Sequence, residues 1–424
     1  MDISTLYNYF LDTTGVSTDT RKITKDCIFF ALKGDNFDGN EFAESALEEG
    51  AKYAIIDNPN KNTNERLILV DNVLGALQDL ATYHRRKLKI PIIALTGSNG
   101  KTTTKELINS VLSRKYRTSA TLGNLNNHIG VPLTLLNIDE SVDIGIVEMG
   151  ANHQKEIEFL CNIAYPDFGL ITNFGKAHLE GFGGIEGVIK GKSEMYQHLR
   201  KHDKTIFVNS NDELQLKQVG HYKDKIEFGK DVSLIEEEPF LKLSYNSMEI
   251  QTQITGSYNF NNICVAIALG NYFKVNRDDI IEGIETYAPK NNRSQVLQKK
   301  NLTIILDAYN ANPTSMEAAL RSFAKKKNDM LTAILGDMFE LGNESKVEHR
   351  RIVELAMNLS LDKLIFVGQH FNEIRSDFPE TLFFKTFMDL KDNFDTIKIP
   401  SGKLLIKGSR GMALERVLDL IESH

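Results

Sequence analysis

Short apolar runs bounded by polar or glycine-bearing turns recur along the chain, and segments of helical spacing lie between them. Runs of this length predict buried strands, whereas apolar positions three and four residues apart predict amphipathic helices. The expected strands are 27–32, 53–56, 67–70, 92–95, 144–147, 169–172, 303–306, 331–335, 364–367 and 404–406. The clearest helical patterns run through Leu74, Leu77, Leu80 and Ala81, through Leu107, Ile108, Val111 and Leu112, and at the end through Ala413, Leu414, Val417, Leu418 and Ile421.

This alternation predicts an α/β protein of three domains, because 424 residues exceed one ordinary core. A basic run at residues 84–87, expected to be a solvated face, is followed by Pro91 and marks the first boundary. Alternating residues within 204–255 predict antiparallel strands added to the middle domain. We therefore expect a small α/β N-terminal domain at 1–88, a central parallel-sheet domain at 89–291 and a Rossmann-like α/β C-terminal domain at 292–424.

The composition, 41% hydrophobic and 25% charged residues, is that of a soluble globular protein. A net charge of −7 gives no case for nucleic acid or for an anionic membrane as a partner. Three widely spaced cysteines (Cys27, Cys161 and Cys264) suit a reducing compartment without a disulfide framework. Neither a signal peptide nor an apolar run of about 20 residues occurs. We expect a cytoplasmic protein without a membrane span.

Residues 96–104, TGSNGKTTT, constrain the chemistry most tightly. A glycine turn between a buried strand and a helix points backbone N–H groups at one spot, where the helix dipole favours a phosphate. Lys101 adds a cation and the Thr102 hydroxyl suits Mg²⁺, so the segment predicts a nucleoside-triphosphate site. The general motif has glycine where Leu95 stands, and the alternative is an ordinary strand-to-helix turn with a solvated lysine.

Polar residues follow two more of the expected strands. Glu148 ends the strand at 144–147, where parallel strands bind ligands, and its carboxylate could hold a Mg²⁺; the alternative is a helix cap or surface acid. His178 follows the strand at 169–172, and a general base cannot be separated from a metal ligand there.

Further polar segments have two interpretations each. The cluster at 124–128, NLNNH, could form a substrate loop or a hydrogen-bonded turn. Asn259 and Asn262 open an apolar helical stretch, where capping and ligand binding are both reasonable. Lys190 and Lys192, taken alone, are ordinary surface lysines.

Together these segments resemble the Mur ligase family of bacterial cell-wall synthesis. The resemblance rests on TGSNGKTTTKE at 96–106, NLNNHIGVPLTLL at 124–136, EMGAN at 148–152 and TNFGKAHLEGFG at 172–183. It continues in YNANP at 309–313, GDMFELG at 336–342 and KGSR at 407–410, and in the N-terminal TDTR at 18–21 and FFALKGD at 29–35. The likeness therefore covers nearly the whole chain.

The resemblance also implies roles for particular residues. Lys101 would contact the β- and γ-phosphates of ATP, Thr102 and Glu148 would hold one Mg²⁺, His178 would help to bind a second, and Lys192 would be carbamylated and act as a metal ligand. Cofactor contacts are implied for Gly97, Ser98, Asn99, Gly100, Lys101, Thr102, Thr103, Asn262, Arg293 and Asp307. Substrate contacts are implied for Arg21, Asn126, Asn127, Tyr309, Asn310, Asn312, Lys407 and Ser409.

The activity implied is ATP-dependent ligation of D-alanyl-D-alanine to UDP-N-acetylmuramoyl-tripeptide through an acyl phosphate, by a monomer. The N-terminal domain would bind the UDP-sugar, and a hinge near residue 290 would let the C-terminal ligase domain close over ATP. The alternatives are another ligase of the family, a folylpolyglutamate-type enzyme, or a nucleotide-binding scaffold that has lost catalysis.

Overall fold

A computed structural model of the chain describes residues 1–325 and 329–423. Its elements form three main sheets, each covered by helices, whose strands lie in separate stretches of the chain. The α/β fold class expected from the alternation of apolar runs is confirmed. Among the described residues no helix is long and apolar enough to cross a membrane.

The N-terminal unit is built on a four-stranded parallel sheet of order β1-β2-β5-β6, and β3 and β4 form a small hairpin beside it. Its strands are β1 Val16–Ser17, β2 Ile28–Phe30, β3 Lys33–Gly34, β4 Phe37–Asp38, β5 Tyr53–Ile56 and β6 Leu67–Leu69. Its helices are α1 Ile3–Leu11, α2 Ala43–Glu48 and α3 Val73–Lys87.

The basic run at 84–87 was expected to be a solvated connector, and this expectation was wrong for two of its four residues. Helix α3 runs through the basic residues, and both His84 and Arg85 are buried. Arg85 donates to the carbonyls of Ala164 and Tyr165 and pairs with Asp167 at 2.7 Å. The basic run therefore fastens the N-terminal unit to the central one, which a linear pattern of charges could not reveal.

Arg85→Ala is expected to lower the free energy of unfolding by about 2 kcal/mol, because it leaves the carbonyls of Ala164 and Tyr165 without this donor and removes an ion pair from the partly buried Asp167, which keeps its contacts with Lys204 and the Ile92 N–H. Urea unfolding followed by circular dichroism measures the change. The neighbouring Arg86 is exposed, so Arg86→Ala serves as the matched control and should change stability by less than about 0.5 kcal/mol. Equal losses in the two variants would show that the Arg85 network contributes nothing specific.

The central unit contains a six-stranded parallel sheet of order β12-β11-β10-β7-β9-β8 and a three-stranded antiparallel sheet, β13-β14-β15. The strands are β7 Ile92–Thr96, β8 Thr118–Ala120, β9 Ile144–Glu148, β10 Phe168–Ile171, β11 Thr205–Asn209, β12 Lys225–Phe228, β13 Val232–Glu236, β14 Lys242–Tyr245 and β15 Met248–Gln251. The helices are α4 Lys101–Leu112, α5 Gly130–Leu136, α6 Glu156–Ala164, α7 Leu179–Phe182, α8 Ile185–Lys201, α9 Glu213–Val219, α10 Phe260–Tyr272 and α11 Arg277–Glu285.

The antiparallel strands predicted within 204–255 are confirmed for its later part, whereas its first part forms parallel strands that were not predicted. Strands β11 and β12 extend the parallel sheet beyond β10, and only β13, β14 and β15 pair in antiparallel fashion. The helix α9 between β11 and β12 provides the crossover that parallel neighbours need, and its short apolar pattern was not recognised in the sequence.

The C-terminal unit is a six-stranded sheet of order β16-β17-β21-β18-β19-β20 in which only the edge strand β16 is antiparallel. Its strands are β16 Gln295–Lys299, β17 Leu302–Asp307, β18 Met330–Gly336, β19 Lys363–Val367, β20 Leu382–Phe384 and β21 Gly402–Lys407. Its helices are α12 Pro313–Ala324, α13 Ser345–Asn358, α14 Gln369–Asn372, α15 Phe387–Asp392 and α16 Val417–Ser423. The last helix begins later than its apolar pattern indicated, because Ala413 has left-handed backbone (φ 46°) and a 3₁₀ turn precedes Val417.

Candidate functional site

The loop from Gly97 to Gly100 joins β7, which lies inside the central sheet, to the N-terminus of α4. Leu95 is fully buried within β7, so the loop begins later than in the general phosphate-binding motif. A Cβ on Gly97 would lie 1.9 Å from Thr172 Oγ1, and Gly100 has φ 78°, so both positions require glycine. The backbone N–H groups at the start of α4 are therefore presented at the sheet edge.

Residues that follow β10 hold this loop in place. The Asn99 N–H donates to Asn173 Oδ1 at 3.1 Å, and the Asn99 carbonyl accepts from Asn173 Nδ2 at 3.0 Å and from the Thr172 hydroxyl at 2.6 Å. Asn173 was quoted in the sequence motif at 172–183 but given no role. Its position directly after a strand next to β7 is the signal that could have identified it.

Lys101 lies at the cleft, where its ammonium donates to the Gly97 carbonyl at 2.7 Å. Burial lowers the pKa of Lys101, a shift that the charge of Glu148 opposes and that of Arg293 reinforces. A lysine in this position can exchange the loop carbonyl for a phosphate oxygen, which is a stronger, charge-assisted acceptor.

Glu148 ends β9, the strand on the other side of β7, and is 1% exposed. Its carboxylate accepts from the Thr102 hydroxyl at 2.9 Å and from the Asn126 amide at 2.8 Å. Among the described residues no lysine, arginine or histidine nitrogen lies within 4.0 Å of it. This buried carboxylate, which has only neutral hydrogen-bond donors against it, is suited to a divalent cation.

Asn127, which follows Asn126, has the turn-forming role that the sequence left open for the 124–128 cluster. Asn127 Oδ1 accepts from the N–H groups of Ile129 and Gly130, so its side chain forms a turn before α5. At the start of α10, Asn262 Nδ2 donates to Asn259 Oδ1 at 2.9 Å, and neither side chain caps the helix.

His178 lies on the loop after β10, and its Nδ1 is 2.6 Å from Oε2 of Glu340, a residue of the C-terminal unit. The nearby His178 lowers the pKa of the Glu340 carboxyl, although the geometry is not that of a hydrogen bond and His178 Nδ1 is buried without a hydrogen-bond partner among the described residues. Glu340 belongs to the GDMFELG segment that contributed to the family resemblance, but the sequence offered no reason to place it beside this histidine.

Lys192 is buried on α8, with its ammonium 3.1 Å from the Ala151 carbonyl and 5.1 Å from the centroid of the Phe182 ring. Burial, reinforced by the charge of Lys101, holds the pKa of Lys192 well below its ordinary value. By contrast Lys190 is exposed, so the interpretation of both as surface lysines was wrong for Lys192.

The C-terminal unit presents the carboxyl ends of adjacent strands to the same cleft. Asp307 ends β17 and Lys407 ends β21, and their side chains pair at 2.6 Å. Lys407 also donates to the Asn310 carbonyl, and the Arg293 guanidinium stacks on the Tyr309 ring, 3.5 Å from its centroid. The planar faces of Arg293 and Tyr309 are suited to stacking against a ring.

Asn312 joins the two units. Its Oδ1 accepts from the Ser315 N–H and caps α12, where Pro313 occupies the first turn, and its Nδ2 donates to Asn99 Oδ1 at 2.6 Å. The Tyr258 hydroxyl and Ser294 Oγ, 2.9 Å apart, make a second link. The phosphate loop is therefore covered directly by the C-terminal unit.

These residues surround a cleft of about 540 Å³. The cleft lining includes most of the predicted site residues, namely Ser98, Asn99, Gly100, Lys101, Thr102, Thr103, Asn126, Asn127, Glu148, His178, Asn262, Arg293, Asp307, Tyr309, Asn310, Asn312 and Lys407. Four others are placed differently. Gly97 lies at the start of the loop, where its carbonyl accepts from the Lys101 ammonium. Arg21 is exposed and paired with Asp19 in the N-terminal unit, Ser409 bonds the Phe339 N–H and the Ala311 carbonyl, and Lys192 lies behind Ala151.

The fold and the cleft define a multidomain protein with a phosphate-binding loop facing a second α/β unit. Comparison with known proteins identifies the family. Residues 12–85 match the domain described as Mur ligase family, catalytic domain; residues 95–270 match the Mur ligase middle domain; and residues 292–409 match the Mur ligase, glutamate ligase domain. The chain belongs to the Mur ligase family.

Relatives over the full length are similar in sequence and in structure. The UDP-N-acetylmuramoyl-tripeptide–D-alanyl-D-alanine ligase of Bacillus subtilis is 36% identical, over 96% of this chain and 93% of the relative. A crystal structure of MurF from Acinetobacter baumannii has a TM-score of 0.87 and 29% identity, covering 100% of this chain and 98% of the other. MurF ligase from Thermotoga maritima in complex with ADP has a TM-score of 0.85 and 27% identity, over 98% of each chain.

Proposed function

We propose that this chain joins D-alanyl-D-alanine to UDP-N-acetylmuramoyl-tripeptide in an ATP-dependent amide ligation, forming the UDP-N-acetylmuramoyl-pentapeptide precursor of peptidoglycan. The observation that carries the proposal is the cleft: a phosphate loop with Lys101 on one side is covered by strand ends with Asp307 and Lys407 on the other. The full-length relatives that bear this ligase's name support the choice of substrates.

The reaction has two steps. The terminal carboxylate of the tripeptide attacks the γ-phosphorus of ATP, and the bond to the β-phosphate oxygen breaks to give an acyl phosphate and ADP. The free amine of D-alanyl-D-alanine then attacks the acyl carbon, and phosphate leaves from the tetrahedral intermediate as the amine loses its proton. Lys101 and the N–H groups of the loop offset the negative charge that keeps the two anions apart.

The residues near Glu148 fit a magnesium ion. Mg²⁺ uses one or two carboxylates together with substrate phosphates, and no group of three or more His, Cys, Asp or Glu side chains in the described part of the chain is arranged to hold a metal alone. Thr102 and Glu148 would supply oxygen ligands for one ion, and His178 would contribute to a second. When bound, the ions would neutralise phosphate charge.

Lys192 fits a carbamate. Burial favours its neutral amine, which is the form that attacks carbon dioxide, and the product is an anionic group with carboxylate-like oxygens. The nitrogen–carbon bond forms as the amine gives up one proton. The modification would turn a buried amine into an oxygen ligand at the Ala151 edge of the cleft.

The division of labour among the units follows from their positions. We propose that residues 1–88 bind the UDP-sugar through a surface that includes Arg21, that 89–291 bind ATP, and that 292–424 bring D-alanyl-D-alanine against Asn310 and Lys407. Asn126 and Asn127 would meet the muramyl-peptide side. We propose that the enzyme acts in the cytoplasm as a monomer.

A coupled phosphate-release assay tests the function. The full chain is given ATP and magnesium with D-alanyl-D-alanine and either the lysine or the diaminopimelate form of the nucleotide tripeptide. Release is expected only when all substrates are present, in equal amount to the pentapeptide product. ATP binding without release would favour a scaffold that has lost catalysis, and release with a single amino acid as acceptor would favour another ligase of the family.

A further inference from the structure

The connections that leave β17, β21, β18 and β19 lie side by side on the C-terminal unit, because these parallel strands are neighbours in its sheet. The residues that follow the four strands include Tyr309, Arg410, Phe339 and His370. Ligands of open parallel sheets bind at this edge. Tyr309 lines the cleft, and Arg410 lies next to it, with its Cζ 5.9 Å from the centroid of the Tyr309 ring. The edge therefore continues from the cleft toward Arg410.

Buried contacts fix the turn that carries Arg410. The hydroxyl of Ser409, which is 2% exposed, donates to the Ala311 carbonyl at 3.3 Å and accepts from the Phe339 N–H at 3.0 Å. The Ser409 N–H donates to the Asp337 carbonyl at 3.1 Å. The turn after β21 is thus joined to the turns after β17 and β18, and the backbone of Arg410 is held at their junction.

The side chain of Arg410, by contrast, is 61% exposed, and its Nη1 lies 2.9 Å from Glu415 Oε1. An exposed ion pair of this kind contributes little to stability, so the guanidinium can turn to a ligand. The Phe339 ring beside it is also exposed and packs on Gly411, where a Cβ would lie 2.9 Å from the ring. A guanidinium next to an exposed ring forms a surface for a small apolar group that carries a carboxylate.

Each lysine or arginine of the described cleft lining already has a contact within the cleft. Lys101 donates to loop carbonyls at the expected phosphate position, and Lys407 is buried and pairs with Asp307 at 2.6 Å. Arg293 stacks on a tyrosine ring, 3.5 Å from its centroid. A second anionic group bound at this edge, away from the phosphates, would therefore meet Arg410.

We propose that Arg410 binds the terminal carboxylate of D-alanyl-D-alanine and that Phe339 contacts the methyl group beside it. This inference rests on the proposed function and specifies how its acceptor is recognised. The dipeptide is a zwitterion about 7 Å long, whose amine must reach the acyl phosphate while its carboxylate stays away from phosphate charge. A guanidinium holds a carboxylate through two parallel hydrogen bonds. A single amino acid, about 3.5 Å shorter, would not span the same two positions.

The kinetic test compares D-alanyl-D-alanine with its C-terminal amide, which has the same size but no negative charge. Arg410→Gln is expected to raise the KM for the acid about 10–100-fold, with kcat and the KM for ATP changed less than about threefold. The wild type should use the amide with a similarly raised KM, which Arg410→Gln should not raise further. Equal losses on acid and amide, or a wild type without preference for the acid, would overturn the proposal.

Arg375 provides the matched control on the same unit. It is exposed in the turn before β20, at the opposite edge of the sheet, and contacts Asn372. Arg375→Gln removes the same charge and should leave the KM for D-alanyl-D-alanine within twofold of the wild type. A rise in KM shared by both variants would reflect the net charge of the unit and would contradict a specific carboxylate site.

Equilibrium binding separates this inference from the proposed function. Calorimetry follows D-alanyl-D-alanine or its amide added to the full chain with a non-hydrolysable ATP analogue and the nucleotide tripeptide. The wild type and Arg375→Gln should bind the acid about 10–100-fold more tightly than the amide, and Arg410→Gln should bind both alike. Such discrimination without phosphate release in the activity assay would keep the carboxylate site and reject the ligation. Ligation without this discrimination, or no binding of either compound, would reject the site.

Discussion

Replacing Lys101 with alanine is expected to lower the rate of phosphate release about 10²–10³-fold, the loss typical of removing one preorganised donor from a developing charge. The ammonium lies at the phosphate loop, where loop carbonyls are its only hydrogen-bond acceptors among the described residues, and it can move to a phosphate oxygen. Single-turnover phosphate release measures the chemical step, and calorimetry measures the affinity for ATP. Both should fall, because Lys101 contacts the ground state and the transition state.

Two variants make this result specific. Lys217, exposed on α9, gives a charge-matched control whose replacement by alanine should leave the rate within twofold of the wild type. Lys101→Arg should remain severely impaired, since the fork of a guanidinium does not reproduce a compact ammonium. Full activity in Lys101→Ala, with circular dichroism unchanged, would remove the phosphate loop from the mechanism.

The second large effect is expected at Lys192. Lys192→Met keeps the bulk of the buried side chain but cannot form a carbamate, so activity should fall at least about 10²-fold. Depleting carbon dioxide from the wild type should lower activity, and bicarbonate should restore it. A ¹³C carbamate signal from labelled bicarbonate, present in the wild type and absent in Lys192→Met, checks the chemistry independently of turnover.

Lys190 provides the matched control on the same helix. It lies two residues away and is exposed, so its amine is not desolvated and has no reason to hold carbon dioxide. Lys190→Met should retain both activity and the ¹³C signal. A carbamate signal that survives in Lys192→Met would place the modification elsewhere, and bicarbonate-independent activity would exclude it as a requirement.

Local patterns determined much of the fold. Apolar runs such as 92–95 and 144–147 are short, fully buried strands, and a buried parallel strand needs little beyond local apolar residues to be recognised. The phosphate loop was recognisable in part because Gly100 meets a local requirement, the left-handed turn into α4, whereas Gly97 is required by its close approach to Thr172. The parallel pairing of β11 and β12 was not predicted, because the short helix α9 that connects them was not recognised in the sequence.

The interpretations that failed depend on partners distant in sequence. In the sequence Arg85 has the pattern of a solvated charge, but in the structure α3 places it beside Asp167. Lys192 has the pattern of a surface lysine, but α8 places it in the interior next to Ala151. Glu340 has no local signal at all, because its partner His178 is on another unit. Asn127 had a turn interpretation from the start, and the structure shows that turn.

The sequence by itself determined the α/β class and the position of the phosphate loop, because strands and glycine turns are local properties of the chain. Most of the other residues that line the cleft were implied by the resemblance of the sequence motifs to the Mur ligase family. Only the tertiary structure decided which charges are buried, which strand ends adjoin the loop and which residue of the C-terminal unit lies beside His178. Those are properties of groups brought together from distant parts of the chain. The energy of a buried charge depends on the neighbours that surround it, and the sequence alone does not show them.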